Sequence, residues 1–246
     1  QYSQNNCSFL FVFHIIHFCK NKHFCEKLLY VSDLFSKFEN EKIIHKTITN
    51  YYLLFMKRTF VFFATGFEEI EAVGTVDILR RGGMDVVSVS ISDTLEVVGA
   101  HGLRVLADVK IADVVGEEAE WLVLPGGMPG AKNLYECKQL QDMLYIHRAK
   151  GGKIAAICAS PGVVLGQLGL LDGQEATCYP GFENLCAGAS IKDSRSWISG
   201  QFVTANGPSS VTNMCFDILS ISRGRDTAIE VMNGMLVYPK EDTYFF

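Results

Sequence analysis

KIAAICASPG, residues 153–162, reads as a strand, a sharp turn and the start of a helix. Lys153 to Ile157 have strand character, Cys158 stands at the turn, and Ala159, Ser160 and Pro161 open the helical pattern VVLGQLG. In α/β folds such a strand-to-helix elbow exposes a nucleophile at the carboxyl edge of the sheet. Free backbone N–H groups at the helix start and the positive end of its dipole are expected to lower the thiol pKa. Cys158 is therefore the candidate nucleophile, set against the commoner fate of a free cysteine, burial as a small hydrophobe.

The segments around the elbow repeat the same alternation. Upstream, EWLVL at 120–124 is a buried strand that ends in the loop PGGMPG at 125–130, whose glycines let backbone N–H groups approach a ligand and could supply an oxyanion hole facing Cys158. Leu134 to Ala149 reads as one long amphipathic helix closed by Gly151 and Gly152. Further upstream, RTFVFFA at 58–64 has the length and apolarity of a parallel strand buried on both faces. Thr65 and Gly66 turn the chain into a helix over 68–81, with Ile70, Val73, Val76 and Leu79 along one face and acids in the first turn. Asp85 to Ser92 alternates like a half-exposed strand, and 96–99 and 103–107 read as short strands around the turn Ala100, His101, Gly102.

Downstream, 175–179 is a predicted strand, 182–187 a short helix, and WISGQFVTA at 197–205 a hairpin about Ser199 and Gly200. Asn206-Gly207-Pro208 is a third loop at a strand end, Ser209 is placed to cap a helix to about Arg223, and 226–236 forms a last helix. Strands alternating with helices over this length predict one doubly wound α/β domain with its loops gathered at the carboxyl edge of the sheet.

Composition narrows the function. The chain has 246 residues, 48% of them hydrophobic, and a formal net charge of -5, which leaves no basic excess for nucleic acid or an anionic membrane. Eight cysteines at positions 7, 19, 25, 137, 158, 178, 186 and 215 follow no disulfide framework and include no CxxC pair. Free thiols in a reducing cytoplasm are the expectation.

Residues 1–55 differ from the rest: they contain no Gly, Ala or Pro and hold four of the six histidines. The apolar run SFLFVFHIIHF at 8–18 is too short for a bilayer span of about 20 residues. It lacks the flanks of a secretory signal. His14, His17, Cys19, His23 and Cys25 match no standard metal-site spacing, so no metal is expected. The segment is read as a non-native or disordered upstream extension, translated AT-rich non-coding sequence, with the α/β domain covering 56–246 from a true start at Met56.

Four motifs in order, TGFEEIE at 65–71, LPGGMPGA at 124–131, AAICAS at 155–160 and NGP at 206–208, resemble the ThiJ/PfpI family, and within it the bacterial relatives of the Parkinson's-associated protein deglycase. The resemblance covers Met56 to about Lys240. It implies a flavodoxin-like sheet sandwiched by helices, of the class I glutamine amidotransferase-like type, and commonly a homodimer. It also implies that Cys158 is the nucleophile, Glu71 its partner carboxyl, and Gly127 and Ala159, with Gly126 beside them, the lining of the oxyanion pocket. Spacing alone makes Glu68, Glu69 and Glu71 equivalent; the resemblance selects Glu71. A carboxyl beside the sulfur would be partly desolvated and held toward its protonated form, ready to move a proton for the substrate.

The chain also departs from the family pattern. The histidine that many relatives carry about twenty residues after the cysteine is replaced by Tyr179, and a phenol is a poor base near neutral pH. No histidine follows His147, which removes the Cys-His-Glu arrangement of the amidotransferases, and Ala159 stands where the peptidase branch has a histidine. His101 is the one plausible imidazole near the site, read chiefly as a solvated turn residue. The implied activity is attack of Cys158 on a reactive 2-oxoaldehyde or its early adduct on a protein, with no cofactor. The alternative is a redox-sensing stress protein or chaperone that uses oxidation of Cys158. A role in thiazole or thiamine metabolism is suggested only by the family's older name.

Overall fold

The structure, a computed structural model, describes residues 57–237. The reading of residues 1–55 lies outside them. Eleven strands are present among the described residues, and seven form the central sheet in the order β10-β11-β7-β6-β1-β2-β5. They are β1 (Arg58–Phe63), β2 (Val86–Ser90), β5 (Val109–Lys110), β6 (Ala119–Leu124), β7 (Lys153–Ile157), β10 (Ser196–Ser199) and β11 (Phe202–Ala205). Every pairing is parallel except the β10–β11 hairpin at one edge.

The strands that were expected to be buried on both faces are so, and their alternation sorts the core into two layers. Val61, Phe63, Trp121, Val123, Ala155 and Ile157 face one layer, with α1 (Glu69–Arg81), α5 (Val211–Arg223) and α6 (Arg225–Gly234) packed on it. Phe60, Phe62, Leu122, Leu124, Ile154 and Ala156 face the other, covered by α2 (Ile111–Val114) and α4 (Lys138–Ala149), with Leu134 of α3 (Gly130–Glu136). The doubly wound sandwich implied by the sequence is present.

Several local expectations are corrected. The long helix at 134–149 is two helices, because Cys137 is extended (φ -73°, ψ 102°) and the Gln141 side-chain amide donates to the Tyr135 carbonyl freed by the break. The α1 helix buries Glu71, Ala72, Thr75, Ile78 and Leu79, whereas Ile70 and Val73 face out. β2 is buried along its whole length, since β1 and β5 flank it and the Ser88 hydroxyl donates to Asp108. The strand expected at 175–179 shortens to β8 (Glu175–Ala176), paired with β9 (Ser190–Ile191) outside the main sheet. The helix expected at 182–187 is one 3-10 turn, Glu183–Leu185. Ser209 does not cap α5: a 3-10 turn at Pro208–Ser210 precedes it, and the Ser210 hydroxyl donates to Asn206 Oδ1. The antiparallel pair β3 (Glu96–Val98) and β4 (Arg104–Leu106) forms as expected.

Candidate active site

The carboxyl ends of β1, β6 and β7 meet at the middle of the sheet, and their loops are tied by backbone hydrogen bonds. Gly130 N–H donates to Gly66 O at 3.0 Å, and Glu68 N–H donates to Gly126 O at 3.0 Å. Gly66 and Gly127 both have positive φ, of 85°, so the two loops approach closely without side chains between them. A Cβ on Gly126 would stand 2.6 Å from Cys158 Cβ and 2.8 Å from Glu71 Oε2. The absence of a side chain at residue 126 is therefore what lets the sulfur-bearing residue and the carboxyl share one space.

Cys158 follows β7 directly and has φ of 64°, a left-handed conformation that is costly for a residue with a Cβ. Two bonds hold it there: its N–H donates to Ala205 O at 2.9 Å, and its carbonyl accepts from Tyr179 N–H at 2.8 Å. The turn behind it is pinned by the buried Ser160, whose hydroxyl donates to Pro125 O at 2.6 Å. Sequence reasoning missed Ser160. Its position after the elbow was visible, but its partner became so only when the β6 loop was in place.

The structure brings the predicted carboxyl to the thiol. Glu68 caps α1 by accepting from Glu71 N–H at 2.7 Å, which turns the Glu71 side chain inward while Glu69 points to the 99–102 turn. Glu71 is 0% exposed; its Oε2 accepts from Gly126 N–H at 2.7 Å, its Oε1 is buried with no hydrogen-bond partner, and the carboxyl stands beside Cys158 across the space that Gly126 leaves open. Burial pushes its pKa up to about 7, against the opposing pull of the Gly126 and Cys158 hydrogen bonds.

The thiol does not behave as the sequence suggested. Burial and the neighbouring Glu71 charge push Cys158 up to about 12, and the backbone N–H groups of Gly127 and Ala159 offset only part of this. The elbow leads into a six-residue π-helical turn, Pro161–Gly166, rather than a long α-helix, so little dipole stands behind the sulfur. Above about pH 7 Cys158 and Glu71 thus form a pair that holds one negative charge, with one proton between them.

The remaining predicted residues separate. Tyr179 lies beside the elbow through its backbone bond to Cys158, its ring against Phe182 (centroids 6.4 Å apart) and facing Gly207 of the NGP loop. His101 is not part of the pair: its ring is exposed, and Nδ1 bonds Glu69 Oε2 at 2.8 Å, a contact that raises its pKa. Glu68, Glu69 and His101 are the one cluster with metal-ligand reach among the described residues, and it lies at the start of α1 rather than at the thiol.

Comparison with known proteins shows which family the chain is similar to. Protein DJ-1 homolog B of Arabidopsis thaliana is 36% identical over 184 residues, which is 74% of this chain and 42% of the plant protein. The chain thus spans less than half the length of that relative. The glutathione-independent glyoxalase DJR-1.2 of Caenorhabditis elegans is 33% identical over 159 residues, 64% of this chain and 83% of that protein. Among solved structures, oxidized Toxoplasma gondii DJ-1 superposes with a TM-score of 0.72 at 38% identity, covering 74% of this chain and 99% of that one. Residues 57–221 match the DJ-1/PfpI family, so a thiol and a buried carboxyl where three loops meet are found here in a chain that belongs to that family.

Proposed function

We propose that this protein is a cysteine-dependent enzyme acting on reactive 2-oxoaldehydes, or on their early adducts with protein amines. The observation that carries the reading is the buried Glu71 carboxyl sharing with Cys158 the space that Gly126 leaves open. As the sulfur attacks the aldehyde carbon, the Glu71 carboxylate takes the thiol proton, and the Gly127 and Ala159 N–H groups hold the oxygen that gains charge. Glu71 gives that proton to the oxyanion, which completes the hemithioacetal and restores the carboxylate. The carbon-bound hydrogen then leaves as a proton to Glu71 and returns to the neighbouring carbon while the hydroxyl proton passes to the ketone oxygen. That shift makes a thioester of a 2-hydroxy acid, which water cleaves to regenerate the thiol. Methylglyoxal would leave as lactate, with no cofactor. The relative described as a glutathione-independent glyoxalase supports the substrate class.

The protein is further proposed to work in the cytoplasm as a homodimer. α1 exposes Ile70 and Val73, and the β3–β4 hairpin exposes Leu103 and Leu106, apolar surface of the kind a partner covers. Among the described residues no helix is long and apolar enough to cross a membrane.

The test is lactate formation from methylglyoxal by wild type and by Cys158→Ala. Loss of turnover in the variant supports the reading, and full retention overturns it. A second reading, redox sensing through a Cys158 sulfinate held by the same N–H groups, is favoured by the description of the Toxoplasma relative as oxidized. It predicts that peroxide adds two oxygens at Cys158 in a protein that shows no turnover.

A further inference from the structure

Ser160 stands where a capping serine is expected, at the residue before the π-helical turn, yet its hydroxyl makes no cap bond. The hydroxyl crosses instead to the loop after β6 and donates to Pro125 O at 2.6 Å, with Ser160 itself 0% exposed. That carbonyl belongs to the peptide group whose other end is the N–H of Gly126, and the N–H donates to Glu71 Oε2 at 2.7 Å. Ser160 and Glu71 are therefore bonded to opposite ends of one amide. We propose that Ser160 is a positioning residue for Glu71, holding and polarising the peptide between Pro125 and Gly126 so that its N–H fixes the carboxylate beside Cys158. The inference deepens the proposed function and rests on its reading of Glu71 as the group that moves the proton.

Two effects run through the amide. The first is polarisation: a donor on the carbonyl oxygen draws electrons toward it and leaves the N–H a better donor, and bonds linked in this way strengthen one another by about 10–30% away from water. Both bonds lie in such a place, since Pro125, Gly126, Ser160 and Glu71 are all buried. The second effect is orientation. Glu71 Oε1 is buried with no hydrogen-bond partner, so the set of the carboxyl depends on the amide from which Oε2 accepts. The loop is held from two sides, by the Ser160 hydroxyl on Pro125 O and by Glu68 N–H on Gly126 O at 3.0 Å. Without the hydroxyl, the carbonyl end of the amide loses a buried tether and the N–H is free to tilt away from Oε2.

Charge sets the direction of the effect. A stronger N–H donor favours the carboxylate over the acid, so Ser160 works against the burial that raises Glu71. The other titratable groups around the carboxyl are Cys158 from the elbow and Glu68 from the start of α1. The loops 125–130 and 206–208 and the turn 159–166 contain no charged residue. Removing the Ser160 hydroxyl alters none of these groups.

The experiment follows the Glu71 carboxyl itself, without substrate, in full-length protein isotope-labelled at the glutamate side-chain carboxyls. Its NMR signal is assigned by its absence in Glu71→Gln and titrated in wild type, Ser160→Ala and Ser160→Thr. Ser160→Ala is expected to move the midpoint upward by about 0.2–0.6 pH units, the loss of that fraction of a charge-assisted bond. Ser160→Thr keeps a hydroxyl and should return the midpoint toward wild type. A Ser160→Ala midpoint equal to that of wild type would overturn the proposal, for the hydroxyl would then be a structural tie only. An equal rise in Ser160→Thr would overturn it as well, since the change would follow disturbance of the buried turn and not loss of the donor. The titration needs no turnover, so full activity in Cys158→Ala would overturn the proposed function and leave this result intact. Where turnover is present, the rising limb of kcat/KM should move by the same amount in Ser160→Ala.

Discussion

Glu71 carries the clearest consequences at the scale of single residues. Its folded pKa, about 7, lies above the ordinary 4.5 because burial disfavours the charged form. A group raised on folding gives its full contribution to stability while protonated in both states, and that contribution is lost as pH rises from about 4.5 through about 7. The span amounts to about 3 kcal/mol. Wild type should therefore melt at lower temperature at pH ~8 than at pH ~5 by calorimetry, and Glu71→Gln should flatten that slope. The same titration should appear in catalysis. With the carboxylate as base, kcat/KM for methylglyoxal should rise with pH through a midpoint near 7. Glu71→Gln should remove that limb and slow turnover by about 10²–10⁴-fold. Removing the Glu71 charge also removes part of what raises the thiol, so alkylation of Cys158 should titrate at lower pH in Glu71→Gln than in wild type.

Among the elements, the elbow and the glycine loop act as one unit. Gly126→Ala would drive a Cβ into Cys158 Cβ and Glu71 Oε2 and toward Ile157 O at 2.9 Å. The variant should lose turnover and about 1–3 kcal/mol of stability, read by urea unfolding. Much of this unit was legible in the sequence, because a strand that ends at a cysteine or in glycines carries its signal in neighbouring residues. Cys158 and the glycine loop at 125–130 were singled out that way, whereas Gly127 and Ala159 were named by the family resemblance. Glu71 was not separable from Glu68 and Glu69 by spacing, since what distinguishes them is a cap bond, a turn at 99–102 and a backbone amide in the loop after β6. The thiol pKa was misjudged for the same reason: N–H groups at a helix start are local, whereas desolvation and the Glu71 charge come from elsewhere in the fold. The π-helical turn, the break at Cys137 and the pairing of β8 with β9 likewise depend on tertiary partners.

For the molecule as a whole, the sheet separates two apolar layers that should respond independently. Leu122→Ala in one layer and Met214→Ala in the other should each cost about 2–5 kcal/mol, and the double variant should lose nearly the sum, within about 0.5 kcal/mol. If the outward face of α1 is a dimer surface, Ile70→Glu with Val73→Glu should convert a dimer to a monomer in light scattering. The left-handed backbone at Cys158 bears on stability in a way that catalysis does not. Glycine adopts such a conformation freely and alanine does not, so of two equally inert proteins, Cys158→Gly should outlast Cys158→Ala in denaturant by about 1 kcal/mol. Selection for a durable chain alone would favour glycine at this turn; a cysteine there is a handicap tolerated for the reach of its sulfur.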